Sequence, residues 1–277
     1  MTSDPVFRTM TAEELPLALD WAAAEGWNPG LEDAAAFYAA DPDGFFVAEV
    51  GGTPVAAISV VNHGKDVAFL GLYLCLPEFR GKGIGYGLWQ HALRHAGERF
   101  VGLDGVPDQQ ENYCKSGFVL TGQTYRFQGG LEGRSAHDLR PALPAEHLAL
   151  TQMEGAAHGY AKPAFLQAWL TETATRKTRV LGEEPRGFAT IRACRSGHKI
   201  GPMIAKTLGD AETLIRGVIH AAEARDVMID VPDSCAPLMQ FCETQGLTVS
   251  FNTARMYRGV VPQTGPHLRT IATMELG

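Results

Sequence analysis

The 277-residue sequence contains no apolar run of about 18 residues, the length a membrane-spanning helix needs. Its opening, MTSDPVFRTM, lacks both the basic region and the apolar core of a secretory leader. The expected place of the chain is the cytoplasm, with no membrane partner. Excess positive charge is also missing. Twenty-four Lys and Arg stand against 31 Asp and Glu, a net charge of -7. That balance argues against a nucleic-acid partner, because phosphate backbones are bound by a positive face that releases counterions. CxxC pairs are absent, and the cysteines (Cys75, Cys114, Cys194, Cys235 and Cys242) are odd in number. Neither a disulfide framework nor a zinc site is expected, and the thiols read as buried and free. What remains is an ordinary globular composition, 45% hydrophobic and 20% charged, long enough for one large or two medium domains.

Local patterns order the first half. Thr11 to Ala24 predicts a helix with Thr11 as N-cap, Glu14 at the capping-box position and Pro16 in the first turn. It stops at the turn chemistry of EGWNPG (25–30), and 31–40 predicts a second short helix. FFVAEV and VAAISVV, joined by Gly-Gly-Thr-Pro, predict a hairpin. DVAFLGLYLCL (66–76) is apolar nearly throughout, as a central strand buried on both faces would be. After Gly87, Leu88, Trp89, Ala92, Leu93 and Ala96 recur at helical spacing.

Between that strand and that helix lies PEFRGKGIGYG, Pro77 to Gly87, with glycine at 81, 83, 85 and 87. Glycines there let the backbone take positive φ and turn successive N–H groups toward an anion at the positive end of a helix. A phosphate or pyrophosphate is the ligand this chemistry suits, and Arg80 can add a charge-assisted contact. Two phosphate motifs fail: Lys82 is followed by Gly83 rather than Ser or Thr, and a GxGxxG fingerprint would need glycine where Tyr86 or Leu88 stands. Arg-x-x-Gly-x-Gly fits, with Arg80, Gly83 and Gly85. In this strand-to-helix setting it resembles the coenzyme A pyrophosphate loop of the GNAT superfamily of N-acetyltransferases. Tyr113, four residues before Gly117 and Phe118, resembles the Y-x-x-x-G-F near the end of a GNAT domain, and LDGVPDQQ suits the fifth strand and its exit loop.

The resemblance covers roughly residues 5 to 129. It implies an α/β (α+β) fold with a mixed central sheet flanked by helices. It also implies a fourth strand splayed from the fifth, with acetyl-CoA as co-substrate and no metal. By that analogy the backbone of Tyr73, Leu74 and Cys75 holds the pantetheine arm, and Arg80, Gly81, Lys82, Gly83, Ile84 and Gly85 hold the pyrophosphate. A primary amine of a small molecule attacks the thioester directly, and Tyr113 gives the leaving thiolate a proton. Glu25, Trp27, Asn28 and Asp104 fall where acceptor sites form in this fold, with Glu25 or Asp104 as base through water. Turn, cap or packing roles compete for each. A non-catalytic acyl-CoA sensor is the alternative function. Transfer from a tRNA-linked donor is disfavoured by the intact loop and the acidic balance.

The rest of the chain predicts a linker at 131–147 and a second domain at 148–277, after a first domain at 1–130. AFLQAWL and AETLIRGVIHAAEA predict helices; RGFATIRAC, HKIGPMIA and VMIDV predict strands. The two halves match: GLDGVPD answers to MIDVPD, and Gly117-Phe118 with Arg126-Phe127 nine residues on answers to Gly246-Leu247 with Arg255-Met256. A diverged duplication follows. The second copy has KTLGDAE where the glycine loop would be and Cys242 where Tyr113 would be, so it is expected to bind no coenzyme A. It would wall the acceptor pocket, or form a homodimer interface. Cys242 reads as core, His91 and His95 as surface or packing residues without a third ligand, and His198 as a residue lining the cleft between halves.

Overall fold

A computed structural model describes residues 4–277. The first half runs β1 (Val6–Thr9), α1 (Leu15–Ala24), α2 (Asp33–Ala40), β2 (Phe45–Val50), β3 (Thr53–Asn62), β4 (Val67–Cys75), α3 (Ile84–Leu93), β5 (Phe100–Gly105), α4 (Gln110–Lys115) and β6 (Val119–Gly130). The second half repeats that order: β7 (Leu139–Pro141), α5 (His147–His158), α6 (Pro163–Trp169), β8 (Arg176–Leu181), β9 (Gly187–Ala193), β10 (His198–Ala205), α7 (Leu208–Ala221), β11 (Asp226–Pro232), α8 (Ala236–Thr244) and β12 (Thr248–Arg258). A further strand, β13 (Leu268–Thr270), follows. The duplication read from the sequence is thus present element for element. The stretch expected as a linker contributes β7, which pairs with β8 at the edge of the second half.

All the strands form one mixed sheet in the order β1-β2-β3-β4-β5-β12-β6-β11-β10-β9-β8-β7, with β13 against β10. The halves exchange strands at its centre. β12 of the second half pairs with β5 of the first, while β6 of the first pairs with β11 of the second. Two ion pairs mark the exchange at equivalent positions. Arg255 lies directly across from Asp104, and Arg126 directly across from Asp230. Each pair is bidentate, with N–O distances of 2.8 and 2.5 Å in the first and 2.7 and 2.9 Å in the second. Both are almost wholly buried, so each charge depends on its partner from the other half.

Local chemistry sets the element ends. The hairpin of β2 and β3 turns at Gly51 and Gly52, both at positive φ (61° and 79°), the conformation a tight two-residue hairpin turn requires. The helix expected from Thr11 begins at Leu15 instead. Glu14 does reach back to the Thr11 N–H at 2.8 Å, but its carboxylate also binds Arg8, and 11–14 is a turn leading into the helix. The sequence reading misses the central strands β6 and β12 and, in the second half, the buried elements α5 and β8. Trp169 of α6 lies beneath Arg176 of β8 and Arg192 of β9, with guanidinium carbons 4.3 and 4.5 Å from the ring centroid.

In each half one parallel strand pair opens into a V. β4 and β5 pair from Val67–Phe100 to Leu70–Leu103 and then part. β10 and β11 pair only through Ile200–Ile229. The V of the second half is filled by the chain itself: β13 pairs with β10 at Met203 and Ile204, and the Ile271 N–H donates to the Asp230 carbonyl. The chain then crosses to the first half, where Met274 and Leu276 join the core formed by α1, α2, Leu72 and Leu74. Gly201 and Gly71 sit just past the last parallel pair of their halves. A Cβ at either would overlap a backbone carbonyl of this segment, that of Ile271 or Glu275.

Candidate active site

The V of the first half is open, a cleft of about 640 Å³ running from the glycine loop to the point where β4 and β5 part. The four glycines of the loop have different causes. Gly81 and Gly83 hold φ of 74° and 77° with open space where a Cβ would be, so backbone conformation alone demands glycine. A Cβ on Gly85 would meet the Tyr73 hydroxyl at 2.9 Å, and one on Gly87 would meet the Phe7 ring at 2.6 Å. Gly83 is the residue before α3, and no side chain caps that helix start. Its first N–H groups therefore face an exposed loop, the arrangement that binds phosphate oxygens. Arg80 is held over the mouth: its Nε donates to the Cys75 carbonyl at 2.8 Å, and its Nη2 meets Glu25 at 2.6 Å. Lys82 lies above the Phe79 ring.

A β-bulge lies along the cleft. Leu74 pairs with Ala57 and Gly71 with Ser59, which leaves Leu72 and Tyr73 opposite Ile58 alone. Leu72 takes φ of 47°, a strained value for a non-glycine residue. The bulge turns Leu72 and Leu74 toward α1 and α2, and Tyr73 and Cys75 toward α3. Tyr113 reaches the same cleft from α4, stacked on Trp89 with centroids 5.6 Å apart. Burial, and next the nearby Tyr73, raise its phenol well above the ordinary range, so it stays protonated at neutral pH. Burial pushes the Tyr73 phenol up to about 12.

Of the four residues expected at the acceptor site, Trp27 and Glu25 line the cleft, although the Glu25 carboxylate is engaged by Arg80. Asn28 does not line it. At φ of 53° its side chain donates to the Ser196 carbonyl at 2.8 Å and accepts from the Ser196 N–H, so it ties the α1–α2 turn to the second half. Asp104 borders the cleft, but its carboxylate is fully buried and committed to Arg255 and Thr253. It cannot serve as a base toward an acceptor while that pairing lasts. Asp104→Asn should lower stability by about 3 kcal/mol, since it strands the buried Arg255 charge; the shift in denaturant midpoint at constant slope measures it. His198 begins β10 and does not line the cleft.

Sequence reasoning missed the far wall. Arg126, Phe251, Thr253, Met274 and Glu275 line the cleft from β6, β12 and the segment after β13. Arg126 and Lys199 both donate to the Trp27 carbonyl, at 3.0 and 2.9 Å. Phe251, Thr253, Met274 and Glu275 of the second half thus form part of the cleft wall.

The corresponding place in the second half is closed in three ways. β13 occupies its V. The Thr207 hydroxyl accepts from the Asp210 N–H at 3.0 Å and caps α7, so no free helix start faces a loop. Cys242, the counterpart of Tyr113, is fully buried, its thiol pushed up to about 12 by burial. Among the described residues, no group of three or more His, Cys, Asp and Glu side chains is placed to hold a metal ion, and all five cysteines are free.

Comparison with known proteins agrees with this architecture. Residues 12–113 match the acetyltransferase (GNAT) family, and residues 150–269 match an acetyltransferase (GNAT) domain. The chain belongs to the GNAT acetyltransferase family and is an acyltransferase of its tandem-domain type. It is 33% identical to the holothin acyltransferase of Pseudoalteromonas sp. (strain SANK 73390) over 270 residues, 96% of this chain and 92% of that one. Its fold is similar to that of a putative acetyltransferase from Pyrococcus horikoshii (TM-score 0.82, 18% identity, covering 99% and 96% of the two chains). It is also similar to a tandem GNAT protein from the clavulanic acid biosynthesis pathway (TM-score 0.64, 14% identity, 94% and 100%).

Proposed function

We propose that the protein moves an acetyl group from acetyl-CoA to the primary amine of a small molecule, by direct attack in a ternary complex. One observation carries this reading: an open cleft joins an uncapped, glycine-led helix start to a strand bulge and a buried phenol. In it, Arg80 to Gly85 bind the pyrophosphate, and the backbone of Tyr73, Leu74 and Cys75 receives the pantetheine arm. The neutral amine nitrogen, its ammonium proton already lost to water, bonds to the thioester carbon; the C–S bond breaks, sulfur leaves with the electron pair, and the surplus proton on the new amide nitrogen passes to water. An N–H freed from the ladder at the bulge supports the developing oxyanion, and Tyr113 donates a proton or hydrogen bond to the thiolate. Residues 1–130 supply the donor site. Residues 148–277, joined through 131–147, supply walls but no second cofactor site, as expected if β13 and the Thr207 cap stand where a cofactor would.

The test is calorimetric titration with acetyl-CoA, followed by CoA release in the presence of candidate amines. Holothin, the compound in the relative's name, is the first acceptor to try. Tyr113→Phe should lower kcat by about a hundredfold and leave the Kd for acetyl-CoA within twofold. An unchanged kcat would remove Tyr113 from the mechanism. A sensor that binds acyl-CoA without turnover would give the same titration and no acceptor-dependent CoA release.

A further inference from the structure

Two tyrosine side chains reach the cleft from the side of α3, and acyl transfer as proposed uses one of them, Tyr113. The other, Tyr73, owes its direction to the β-bulge, which sends its side chain toward α3 rather than toward α1 and α2. Its ring stands edge-on against the buried Trp89, with centroids 5.3 Å apart. That orientation sets the hydroxyl beside the first turn of α3, where its oxygen is 2.9 Å from the place a Cβ on Gly85 would take. No hydrogen bond engages the hydroxyl among the described residues, and its oxygen is open to the cleft rather than sealed in the core.

The amides beside it are also unspent. The Gly87 N–H donates to the Gly83 carbonyl at 2.9 Å, while those of Ile84, Gly85 and Tyr86 precede the first helical hydrogen bond and have no acceptor within α3. Burial pushes the Tyr73 phenol up to about 12, so at neutral pH it is an O–H donor with no acceptor of its own. The closed half supplies the contrast. Gly201 stands there as Gly71 does here, and two residues on from each, Met203 answers to Tyr73. Met203 is fully buried and paired with Thr270 of β13, and the helix that follows is capped by Thr207. Of the two copies, only the one with an open cleft and an uncapped helix start carries a hydroxyl at this position.

We infer that Tyr73 is a cofactor-binding residue whose hydroxyl donates a hydrogen bond to the pyrophosphate of the bound coenzyme A, on the cleft side of the first turn of α3. The amides of Ile84 to Tyr86 meet the anion at the end of the helix, and the phenol meets it from β4. Phosphate oxygens accept several hydrogen bonds at once, so the donors gathered at one turn share one anion. Gly85 gains a functional reason as well, because a side chain there would displace the hydroxyl. The inference rests on the acyl-transfer reading for the identity of the anion.

The experiment measures the Kd of acetyl-CoA by calorimetry and follows the bound cofactor by phosphorus NMR. Tyr73→Phe, which keeps the ring on Trp89, should raise the Kd about tenfold and leave the melting temperature of the free protein within a few degrees. It should also move a pyrophosphate resonance of the bound cofactor and leave that of the separate ribose phosphate in place. Gly85→Ala, whose Cβ displaces the hydroxyl, should raise the Kd severalfold in the parent but by less than twofold in the Tyr73→Phe background, since one hydrogen bond cannot be lost twice. A Kd within twofold of the parent in Tyr73→Phe, unmoved pyrophosphate resonances, or an equal loss from Gly85→Ala in both backgrounds overturns the inference. If Tyr73→Phe does not fold, Gly85→Ala alone decides: a raised Kd with a moved pyrophosphate resonance supports the contact, and an unchanged Kd overturns it. Absence of acetyl-CoA binding by the unaltered protein would instead overturn the acyl-transfer reading, and this contact with it.

Discussion

Residues 1–130 and 131–277, expressed separately, should each fail to fold, and mixing or co-expressing them should restore the native fold. The reason is the strand exchange. Without the second half, β5 loses its neighbour β12, and β6 loses both neighbours, β12 and β11. Asp104 is left without Arg255 and Arg126 without Asp230, in places where both partners are almost wholly buried. Stranding a buried charge costs about 3–5 kcal/mol, and two such losses, about 6–10 kcal/mol, are comparable with the roughly 5–15 kcal/mol by which an ordinary domain is stable. The core of α1, α2, Leu72 and Leu74 would also lose Met274 and Leu276. Far-UV circular dichroism and size-exclusion chromatography of the separate and combined halves measure this. A monomeric, cooperatively unfolding 1–130 would show that β6 can turn back to cover β5, and that the exchange is a convenience rather than a requirement.

The exchange also explains what could be read in the sequence and what could not. The donor side of the cleft is local. The apolar run, Arg80, the glycines and the helix spacing fall within about thirty consecutive residues, each with its own chemical reason. The other walls are assembled from Trp27, Phe251, Thr253, Met274 and Glu275, and no local pattern says which distant strand will lie beside β5. The repeated Asp and Arg positions did reveal two copies, but equal copies fit either strand pairing. Asn28 was a correct turn residue with the wrong ligand role, because its amide is spent on Ser196. Several of the missed elements carry charged residues in their buried faces. In α5, Glu154 and His158 are buried around Lys162, and in β8 Arg176 is buried over Trp169. Both look exposed until their partners are known.

Gly83→Val should abolish detectable acetyl-CoA binding up to about millimolar concentration while leaving the melting temperature within a few degrees of the parent. Nothing lies within 4 Å of where the new Cβ would be, so the effect is conformational rather than steric. At φ of 77° an L-residue costs about 1–2 kcal/mol, and a β-branched one more. The exposed loop relieves that strain by rotating to negative φ, which turns the N–H groups at the start of α3 away from an anion. Gly87→Ala is the contrasting variant. Its Cβ would press on the Phe7 ring, outside the cleft lining, so it should lower the melting temperature and spare affinity. If Gly83→Val kept full affinity, the glycines would only shape a turn, and the acyl-transfer reading would lose its donor site. If Gly87→Ala lost affinity as well, the whole start of α3 rather than its first peptide groups would be holding the pyrophosphate.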